Sequence, residues 1–443
     1  MKSIRAILII FLFTNLCFSQ TGWYQVNSGV NSALRSTYFL NDNTGFTVGY
    51  SGVVLKSING GIQWNRIAVS SDTTLQMRTV YFKDQLTGYI FGNHFATQNT
   101  TDSFYTRIFK TTDGGNNWFA DGPDYMNIWL KSIEFLNSQT GFMSGGLYLN
   151  GGPNKIFRTT NAGTNWTEIP NPFLIALVSQ NFINSTTGFV GAGNEIYKTT
   201  NSGVNWISVF TNSANGYNLV YSIMFVNSNT GFASGGPTSF SLPKNRFIAK
   251  TTDGGNTWNY VLNDTLGWLI NKITVVNENV VYGCGSVNSD GGYENSGKII
   301  KTSNGGLTWS EETIPTTSPL ISITNINSKG FAVGYDGVIY KKDNIVSVTQ
   351  ISTEVPSSIN LYQNYPNPFN PETTIKFDIS KSGFISLKVY DIAGKEVQNL
   401  FNGVKEAGSY QLKFDGTNLN SGVYFYRLLT NGTTITKSMV LVK

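Results

Sequence analysis

The chain has 443 residues, of which 40% are hydrophobic and 14% are aromatic, and its formal net charge is +5. It is long enough to bury a large core, and its weak positive charge excludes the strongly basic footprint of a nucleic-acid-binding protein. Only 13% of the residues are charged, against the usual quarter, while Asn, Thr, Ser and Gly are abundant. This composition favours a turn-rich secreted β protein over a cytosolic enzyme.

Residues 1–19 predict a secretory signal peptide, since Lys2 and Arg5 precede a short apolar run and Ser19 offers a small residue for cleavage. The run is too short to cross a bilayer, and no later segment is apolar enough, so we predict no transmembrane segment in the mature chain. The mature chain then carries a net charge of +3, with 29 basic and 26 acidic residues.

Two residue types limit the chemistry open to the mature chain. Cys284 becomes the single cysteine, so no internal disulfide forms, and we interpret it as a small buried hydrophobe. His94 is the one histidine, and no cluster of thiols or carboxylates accompanies it. We therefore predict no metal site and no other cofactor.

Two motifs alternate through residues 21–342. A Gly-aromatic motif, such as TGFTVG around Gly45, precedes a box of the type KTTDGGNNW (110–118). The box occurs six times and ends at Trp64, Trp118, Trp166, Trp206, Trp258 and Trp309, so the repeats are 40–54 residues long. Short segments rich in Phe, Val, Ile and Tyr lie between Gly, Asn, Ser and Thr turns. Repeats of this length made of four short strands predict the blades of a β-propeller.

The number of blades follows from the last and the first repeat. A seventh Gly-aromatic motif, GFAVG (330–334), has no box after it. Each box tryptophan lies 21–25 residues before the next Gly-aromatic motif, and Trp23 lies 22 residues before Gly45. Trp23 thus behaves like the missing seventh tryptophan. We predict an all-β fold in which residues 20–342 form a seven-bladed propeller closed by the N-terminal strand, which leaves no open sheet edge.

We interpret the box as scaffold, in the turn between the third and fourth strands of a blade. Its Asp or Asn accepts backbone N–H bonds, the glycine two residues later permits a positive φ, and the indole packs between blades while its N–H finds a partner. A calcium loop needs several carboxylates, whereas four of the six boxes have a neutral Asn. A phosphate loop needs GxxxxGK[ST] before a helix, and neither is present.

The box resembles the Asp-box (BNR) repeat. That repeat occurs in sialidases, in β-glucan-cleaving propellers, in sortilin-type receptors and in propellers similar to photosystem II assembly factors. The resemblance covers residues 21–342 and implies the blade type. It says almost nothing about function, because the box is structural in those families.

The tail is a second module. Residues 343–358 are typical of a linker, and residues 359–443 contain six or seven short strands with alternating polarity, which predict a small immunoglobulin-like β-sandwich. YPNPFNP, DIAGKEV, LNSGVYFYRL and the terminal KSMVLVK closely resemble the type A C-terminal sorting domain of the type IX secretion system. The resemblance implies that this machinery is a partner, and that the protein is secreted from, or displayed on, a Gram-negative cell.

A binding site is predicted on the face that carries the loops between the second and third strands, since function concentrates on such loops. Blades 2, 3, 5 and 6 have long loops there. Arg35, Arg78 and Lys131 each lie ten residues before a motif glycine on consecutive blades, near the channel mouth. We predict that this basic arc, with the aromatic residues Trp129, Trp268, Tyr125 and Tyr217, binds an acidic or carbohydrate ligand.

Three functions remain open. The first is a secreted or surface-displayed propeller that binds a glycan or a surface protein without chemistry, since no catalytic constellation is evident. The second is a glycoside hydrolase using two loop-side carboxylates, with candidates Asp121, Asp124, Asp264, Asp290 and Glu294. The sialidase F/Y-R-I-P motif is absent. The third is an assembly factor for a surface complex.

Overall fold

The computed structural model describes residues 22–443, except for 95–103, 147–153, 174–176, 213–217, 238–244, 266–267, 290–291, 316–317, 344, 346–348, 353, 417–418 and 431. Its regular elements are β-strands and one short 3₁₀ turn, Tyr335–Gly337. The predicted signal peptide lies outside the described residues, as do most residues of the long loops of blades 2, 3 and 5.

The first strand, β1 (Tyr24–Val26), is followed by six β-sheets, which form blades 1 to 6. Each has four strands except that of blade 2, which has five. Blade 1 contains β2 (Leu34–Phe39), β3 (Gly45–Gly49), β4 (Val54–Ser57) and β5 (Asn65–Arg66). Blade 2 contains β6 (Gln76–Phe82), β7 (Gly88–His94), β8 (Tyr105–Thr111), and both β9 (Phe119–Ala120) and β10 (Tyr125–Met126) against β8. Blade 3 contains β11 (Leu130–Phe135), β12 (Gly141–Gly145), β13 (Lys155–Thr159) and β14 (Thr167–Ile169). Blade 4 contains β15 (Leu177–Phe182), β16 (Gly188–Ala192), β17 (Glu195–Thr199) and β18 (Ile207–Thr211). Blade 5 contains β19 (Asn218–Phe225), β20 (Gly231–Pro237), β21 (Arg246–Thr251) and β22 (Asn259–Asp264). Blade 6 contains β23 (Trp268–Val275), β24 (Val281–Ser289), β25 (Gly292–Thr302) and β26 (Ser310–Glu312).

The seventh blade confirms the predicted closure by the N-terminal strand. It contains β27 (Leu320–Ile326), β28 (Lys329–Gly334) and β29 (Ile339–Lys342), and β1 pairs antiparallel with β29 as its fourth strand. The register places Tyr24 opposite Lys341 and Val26 opposite Ile339. The chain therefore returns to its own beginning, and the last blade has the same four strand positions as the others.

Aromatic stacking joins neighbouring blades. The aromatic residue of the Gly-aromatic motif stacks on the residue that ends the first strand of the next blade, as in Phe46 on Phe82 (4.8 Å between ring centroids) and Phe142 on Phe182 (3.9 Å). The stack of Phe331 on Phe39 (3.9 Å) repeats this contact between blades 7 and 1. Every ring named here is buried, so the stacks contribute both apolar burial and aromatic contact energy to ring closure.

The box tryptophans pack edge-on against these stacks, as predicted. Trp118 lies 6.2 Å from Phe46 and 5.8 Å from Phe82, across the interface of blades 1 and 2. The prediction that each indole N–H finds a partner is correct for Trp64, which donates to the Gly61 carbonyl (3.2 Å). It is wrong for Trp118, Trp206 and Trp258, whose buried Nε1 atoms have no acceptor among the described residues. Packing of the ring body decides the position of these three indoles.

The box turn has the predicted hydrogen bonds. In the box of blade 2, Asp113 Oδ1 accepts from the backbone N–H groups of Asn116 (3.0 Å) and Asn117 (2.9 Å). Thr111 Oγ1 accepts from the N–H of Gly115 (2.9 Å) and donates to Asp113 Oδ1 (2.8 Å). These bonds hold the pKa of the Asp113 carboxyl at about 2. The carboxylate therefore serves its own turn, which supports the scaffold interpretation.

The tail folds as two packed four-stranded sheets. Its strands are β30 (Thr349–Ser352), β31 (Asn360–Leu361), β32 (Glu372–Ile379), β33 (Gly383–Tyr390), β34 (Glu396–Lys405), β35 (Gly408–Asp415), β36 (Gly422–Thr430) and β37 (Thr433–Leu441). The sheet orders are β30-β35-β32-β31 and β34-β33-β36-β37. Buried residues of both sheets, such as Phe377 and Leu387, share one core, so the sandwich is present. The immunoglobulin-like comparison stays a prediction.

Residues 343–358, predicted to be a linker, make packing and strand contacts in the structure. Ile345 is 1% exposed in a core cluster with Trp23 and Tyr340, and its N–H donates to the Ser328 carbonyl at 2.7 Å. Strand β30 joins a sheet of the tail through β35. One part of this segment thus packs on the propeller and another belongs to the sandwich. The short apolar run of Ile345, Val346 and Val348 between polar residues has no periodicity from which this packing could be predicted.

Candidate functional site

A β-bulge occurs near the start of the first strand of all seven blades. In blade 1 the pairing with the second strand shifts between Leu34 and Ser36, so that Arg35 is left out of the register. The same shift occurs at the equivalent positions of the other blades: Arg78, Lys131, Val178, Tyr221, Asn271 and Ile321. A bulge re-aims a side chain that would otherwise follow the pleat. We call these seven residues the bulge ring.

The bulge ring lines a single cavity of about 170 Å³, together with Thr79. One residue from every blade reaches this cavity, so it lies on the axis of the propeller. In six of the seven blades a glycine pairs with the residue before the bulge, and in blade 4 Ala192 takes that place. A Cβ on Gly49 would lie 2.2 Å from the carbonyl oxygen of Ala33, and one on Gly145 would lie 2.0 Å from that of Trp129. In blades 1 and 3 this glycine therefore lets the backbone before the bulge approach the second strand closely.

The three basic residues of the bulge ring come from three consecutive blades. Arg35, Arg78 and Lys131 come from blades 1, 2 and 3, and all three line the cavity, as the ten-residue spacing predicts. We call them the cationic crescent. The Arg35 guanidinium lies 5.4 Å and that of Arg78 5.8 Å from the ring centroid of Tyr50. Arg78 also lies 5.5 Å from a ring centroid of Trp129. Aromatic faces thus hold both guanidinium groups in place.

Lys131 has an unusual environment for a lysine. Burial lowers the pKa of its ammonium group to about 7, and the positive charges of Arg78 and Arg35 act in the same direction. Its Nζ donates to the carbonyl oxygen of Leu177 at 3.4 Å. Burial, together with the two neighbouring guanidinium groups, therefore favours the neutral form of the Lys131 amine.

The other four members of the ring are neutral. Val178 and Ile321 are apolar, and Tyr221 and Asn271 offer polar groups. Asn271 donates to the carbonyl oxygen of Leu320 at 2.8 Å. The cavity consequently has a cationic side and a neutral side. The ten-residue spacing before the motif reaches Val178, Tyr221 and Asn271 as well, so the sequence contained the signal for these ring members.

The aromatic residues predicted for the binding site do not lie together in the structure. Trp129 adjoins the crescent through Arg78 and is partly buried. Tyr125 lies on β10, the outermost strand of blade 2, and packs against Phe157 at 5.3 Å. It therefore does not join the cavity. Tyr217 lies outside the described residues.

Trp268 is in the core, which corrects its predicted place on the binding face. Only 2% of it is exposed, in a cluster with Phe232 and Ile270. The Arg246 guanidinium covers its ring at 4.2 Å, so no face of the indole is open to a ligand. The position of Trp268 in a connection between blades suggested exposure, but Arg246 reaches it from the third strand of the preceding blade.

The described loop-side carboxylates are paired with basic residues of the third strands. Asp124 accepts from Arg107 at 2.8 and 2.6 Å, and Asp121 lies 3.7 Å from the Lys110 ammonium. Asp264 accepts from Arg246 at 2.8 Å. Asp290 lies outside the described residues, and so does the side chain of Glu294. The three described carboxylates thus fix their own blades, and the geometry does not bring them to the cavity.

A metal site and a membrane-spanning helix are two common kinds of functional feature. The described residues contain no group of three or more His, Cys, Asp or Glu side chains placed to hold a metal ion. They also contain no helix of sufficient length and apolar character to cross a membrane. Cys284 is fully buried, as expected, and burial raises the pKa of its thiol above the usual range.

The tail is identified by comparison with known families. Residues 363–443 match the family described as the secretion system C-terminal sorting domain. The chain ends in a secretion sorting domain. This domain directs export through the type IX secretion system, so the protein is found at the cell surface or outside the cell. No curated protein matches the chain.

Several propellers of known structure are similar to the chain. They include YCF48 bound to D1 peptide (17% identity, TM-score 0.54, covering 74% of this chain and 96% of that one) and YCF48 from Cyanidioschyzon merolae (18%, 0.54, 73% and 99%). They also include the GH74 xyloglucanase from Xanthomonas campestris (9%, 0.52, 80% and 59%). At these identities the likeness shows the fold and no more.

Proposed function

We propose that this protein is an exported binding propeller, whose ligand carries an anionic group that is held in the axial cavity by the cationic crescent. One observation supports this above all. Seven equivalent bulges point one residue from each blade into the same cavity, and the three that are basic stand side by side. Unrelated surface charges have no reason to share this position on consecutive blades.

The physical basis is charge-assisted hydrogen bonding in a partly enclosed space. Guanidinium groups that stack on aromatic rings present their N–H edges to the side, where a carboxylate, sulfate or phosphate accepts them. Arg35 and Arg78 share Tyr50 in this way, so the two edges are pre-positioned and less entropy is lost on binding. The neutral side of the ring, with Tyr221 and Asn271, is suited to the uncharged part of the ligand.

The glycoside hydrolase alternative is less well supported by the geometry. Retaining and inverting enzymes need two carboxyl groups that flank the scissile bond. Asp121, Asp124 and Asp264 are each engaged with a lysine or arginine. Structural likeness to a xyloglucanase does not extend to catalytic residues. The assembly-factor alternative has one specific point in its favour, since the similar propeller YCF48 has been solved with a bound peptide.

Binding to paired ligands tests the proposal. The full mature chain would be titrated with polygalacturonate, sialylated mucin and an acidic peptide with a free C-terminus, each against a neutral counterpart, with reducing-sugar release recorded in parallel. We expect an anionic member to bind and the Arg35→Gln, Arg78→Gln double variant to bind at least tenfold more weakly, since each charge-assisted hydrogen bond contributes about 1.5–3 kcal/mol. Binding should also weaken as the salt concentration rises.

The control is a double variant with the same change in net charge, Lys376→Gln with Lys395→Gln, at exposed positions of the tail. It should bind like the unmodified protein. Equal losses in both double variants would show that only net charge matters and would contradict a site in the cavity. Sugar release would contradict a purely binding role.

A further inference from the structure

We propose that Lys131 acts as a nucleophilic amine, which condenses with the carbonyl group of an anionic ligand of the 2-oxo acid or aldehyde-acid class to form an imine. This inference rests on the proposed function, because the crescent must first hold the anionic group of that ligand. It adds a covalent step and narrows the ligand from any anion to one with a carbonyl group near its charge.

The position of Lys131 carries the inference. Its bulge on β11 directs it into the axial cavity, which it lines together with Arg35 and Arg78. An anionic group held by the two guanidinium groups would place adjoining atoms of the ligand beside the third member of the crescent. Proximity of this kind converts a slow bimolecular condensation into an effectively unimolecular one.

Burial, together with the charges of Arg78 and Arg35, also keeps the Lys131 amine reactive. A lysine must lose its proton to act as a nucleophile, and nearby cations or burial favour this loss. With a pKa of about 7, a far larger share of the Lys131 side chains carries a neutral amine at pH 7 than of ordinary lysines, of which about one in 2,500 does. Within the bulge ring, Arg35 and Arg78 are the charged neighbours, and Tyr221 is the remaining titratable group.

Two other lysines of the propeller, Lys198 and Lys250, donate to the box turns of the scaffold. Lys198 donates to the carbonyl of Gly254 and to Asn256 at 2.8 and 2.7 Å, and Lys250 donates to the carbonyl of Gly305 at 2.8 Å. Each therefore anchors the box turn of the following blade. Lys131 also donates to a carbonyl oxygen, that of Leu177 at 3.4 Å, but unlike these two lysines it lines the axial cavity beside two guanidinium groups.

The step balances without an oxidant or reductant. The lone pair of Lys131 Nζ forms a bond to the carbonyl carbon, and the π electron pair moves to the oxygen, which takes a proton to give a carbinolamine. Loss of the hydroxyl group with a proton, as water, then leaves a carbon–nitrogen double bond. Amine and carbonyl thus give imine and water, while the anionic group stays with Arg35 and Arg78.

Reductive trapping tests the step on the full mature chain at pH 7. The protein would be incubated with 2-oxoglutarate and sodium cyanoborohydride, and labelled lysines mapped by peptide mass spectrometry. Glutarate, which has the same charges and no carbonyl, would be titrated separately by calorimetry. We expect Lys131 to be labelled at least tenfold faster than the exposed Lys395, with no label at this position in a folded Lys131→Arg variant. We also expect this preference to shrink at pH 10, where ordinary lysines lose their protons.

The outcomes separate the two proposals. Glutarate binding with equal labelling of Lys131 and Lys395 would overturn the imine step and leave the anion site standing. Absence of both glutarate binding and preferential labelling would overturn both. Preferential labelling that persists unchanged in an Arg35→Gln, Arg78→Gln protein would contradict the role of the crescent in bringing the carbonyl to Lys131.

Discussion

The Glu134 side chain, on the first strand of blade 3, joins its blade to blade 4 by hydrogen bonds. Its Oε2 accepts from the backbone N–H of Phe182 in blade 4 at 2.9 Å, and its Oε1 accepts from Asn181 Nδ2 at 3.2 Å. Neighbouring interfaces have the same contact, since Tyr81 Oη accepts from Phe135 N and Asn181 Oδ1 accepts from Phe225 N, both at 2.9 Å. Burial raises the pKa of the Glu134 carboxyl to about 7.

This raised pKa predicts a pH-dependent stability that Glu134→Gln removes. A carboxyl group with a raised folded-state pKa prefers the protonated form in the native protein. Its contribution is fully present below the unfolded value of 4.5 and is lost as the pH rises through about 7. The shift sets an upper limit of about 3 kcal/mol. The melting temperature of the unmodified protein should therefore fall, relative to the variant, between pH 4.5 and pH 7.

Thermal melts of both proteins across this range measure the difference. A charged group that interacts with Glu134 is Lys272, whose own pKa is lowered by burial. Lys272→Met should alter the size of the effect but keep its direction, because burial is the main cause of the Glu134 shift. A constant offset between the unmodified protein and Glu134→Gln would mean that the carboxyl ionises normally, and that only a hydrogen bond was lost.

At the scale of the element, the box turn depends on a glycine for two separable reasons. Gly115 has a φ of 75°, and a Cβ there would lie 2.4 Å from the ring of Phe46. Gly29 has a φ of 71°, and a Cβ there would have no atom within 4 Å. The two glycines therefore share backbone conformation and differ in their surroundings.

Alanine at each position should separate backbone strain from packing. Gly29→Ala should lose about 1–2 kcal/mol of unfolding free energy, the cost of a left-handed conformation. Gly115→Ala should lose about 1–3 kcal/mol more, because it also overpacks the stack between blades 1 and 2. Denaturant titrations of both variants measure this. Equal losses would show that Phe46 moves aside freely and that the stack does not constrain the turn.

The same elements show what the sequence could predict about the site. The repeat spacing places Arg35, Arg78 and Lys131 at one position in successive blades, and the structure brings them to one cavity. The spacing does not reveal the bulge itself, because the bulge is a shift in the pairing between the first and second strands of a blade. The prediction for Trp268 is wrong because its exposure depends on a partner, Arg246, that only the tertiary fold supplies.

At the scale of the whole molecule, β1 joins the two ends of the propeller. Trp23 is 5% exposed in a cluster with Tyr282 and Ile345, and its Nε1 donates to Glu312 Oε2 at 2.9 Å. Val26 packs in the cluster that contains Phe39 and Phe331, on the other side of the blade. This one short strand therefore completes the packing of blade 7 against both of its neighbours.

A chain that begins at residue 28 should consequently be less stable than one that begins at residue 20. Loss of a buried tryptophan alone costs about 3–5 kcal/mol, and removal of the strand leaves the edge of β29 unpaired, which favours self-association. Thermal melting and light scattering compare the two chains. Trp23→Ala in the longer chain distinguishes the two effects, since it removes the indole and retains the strand. It should lower stability while the protein stays monomeric. If the shorter chain were equally stable and monomeric, six complete blades and three strands would suffice, and closure by the N-terminal strand would not stabilise the ring.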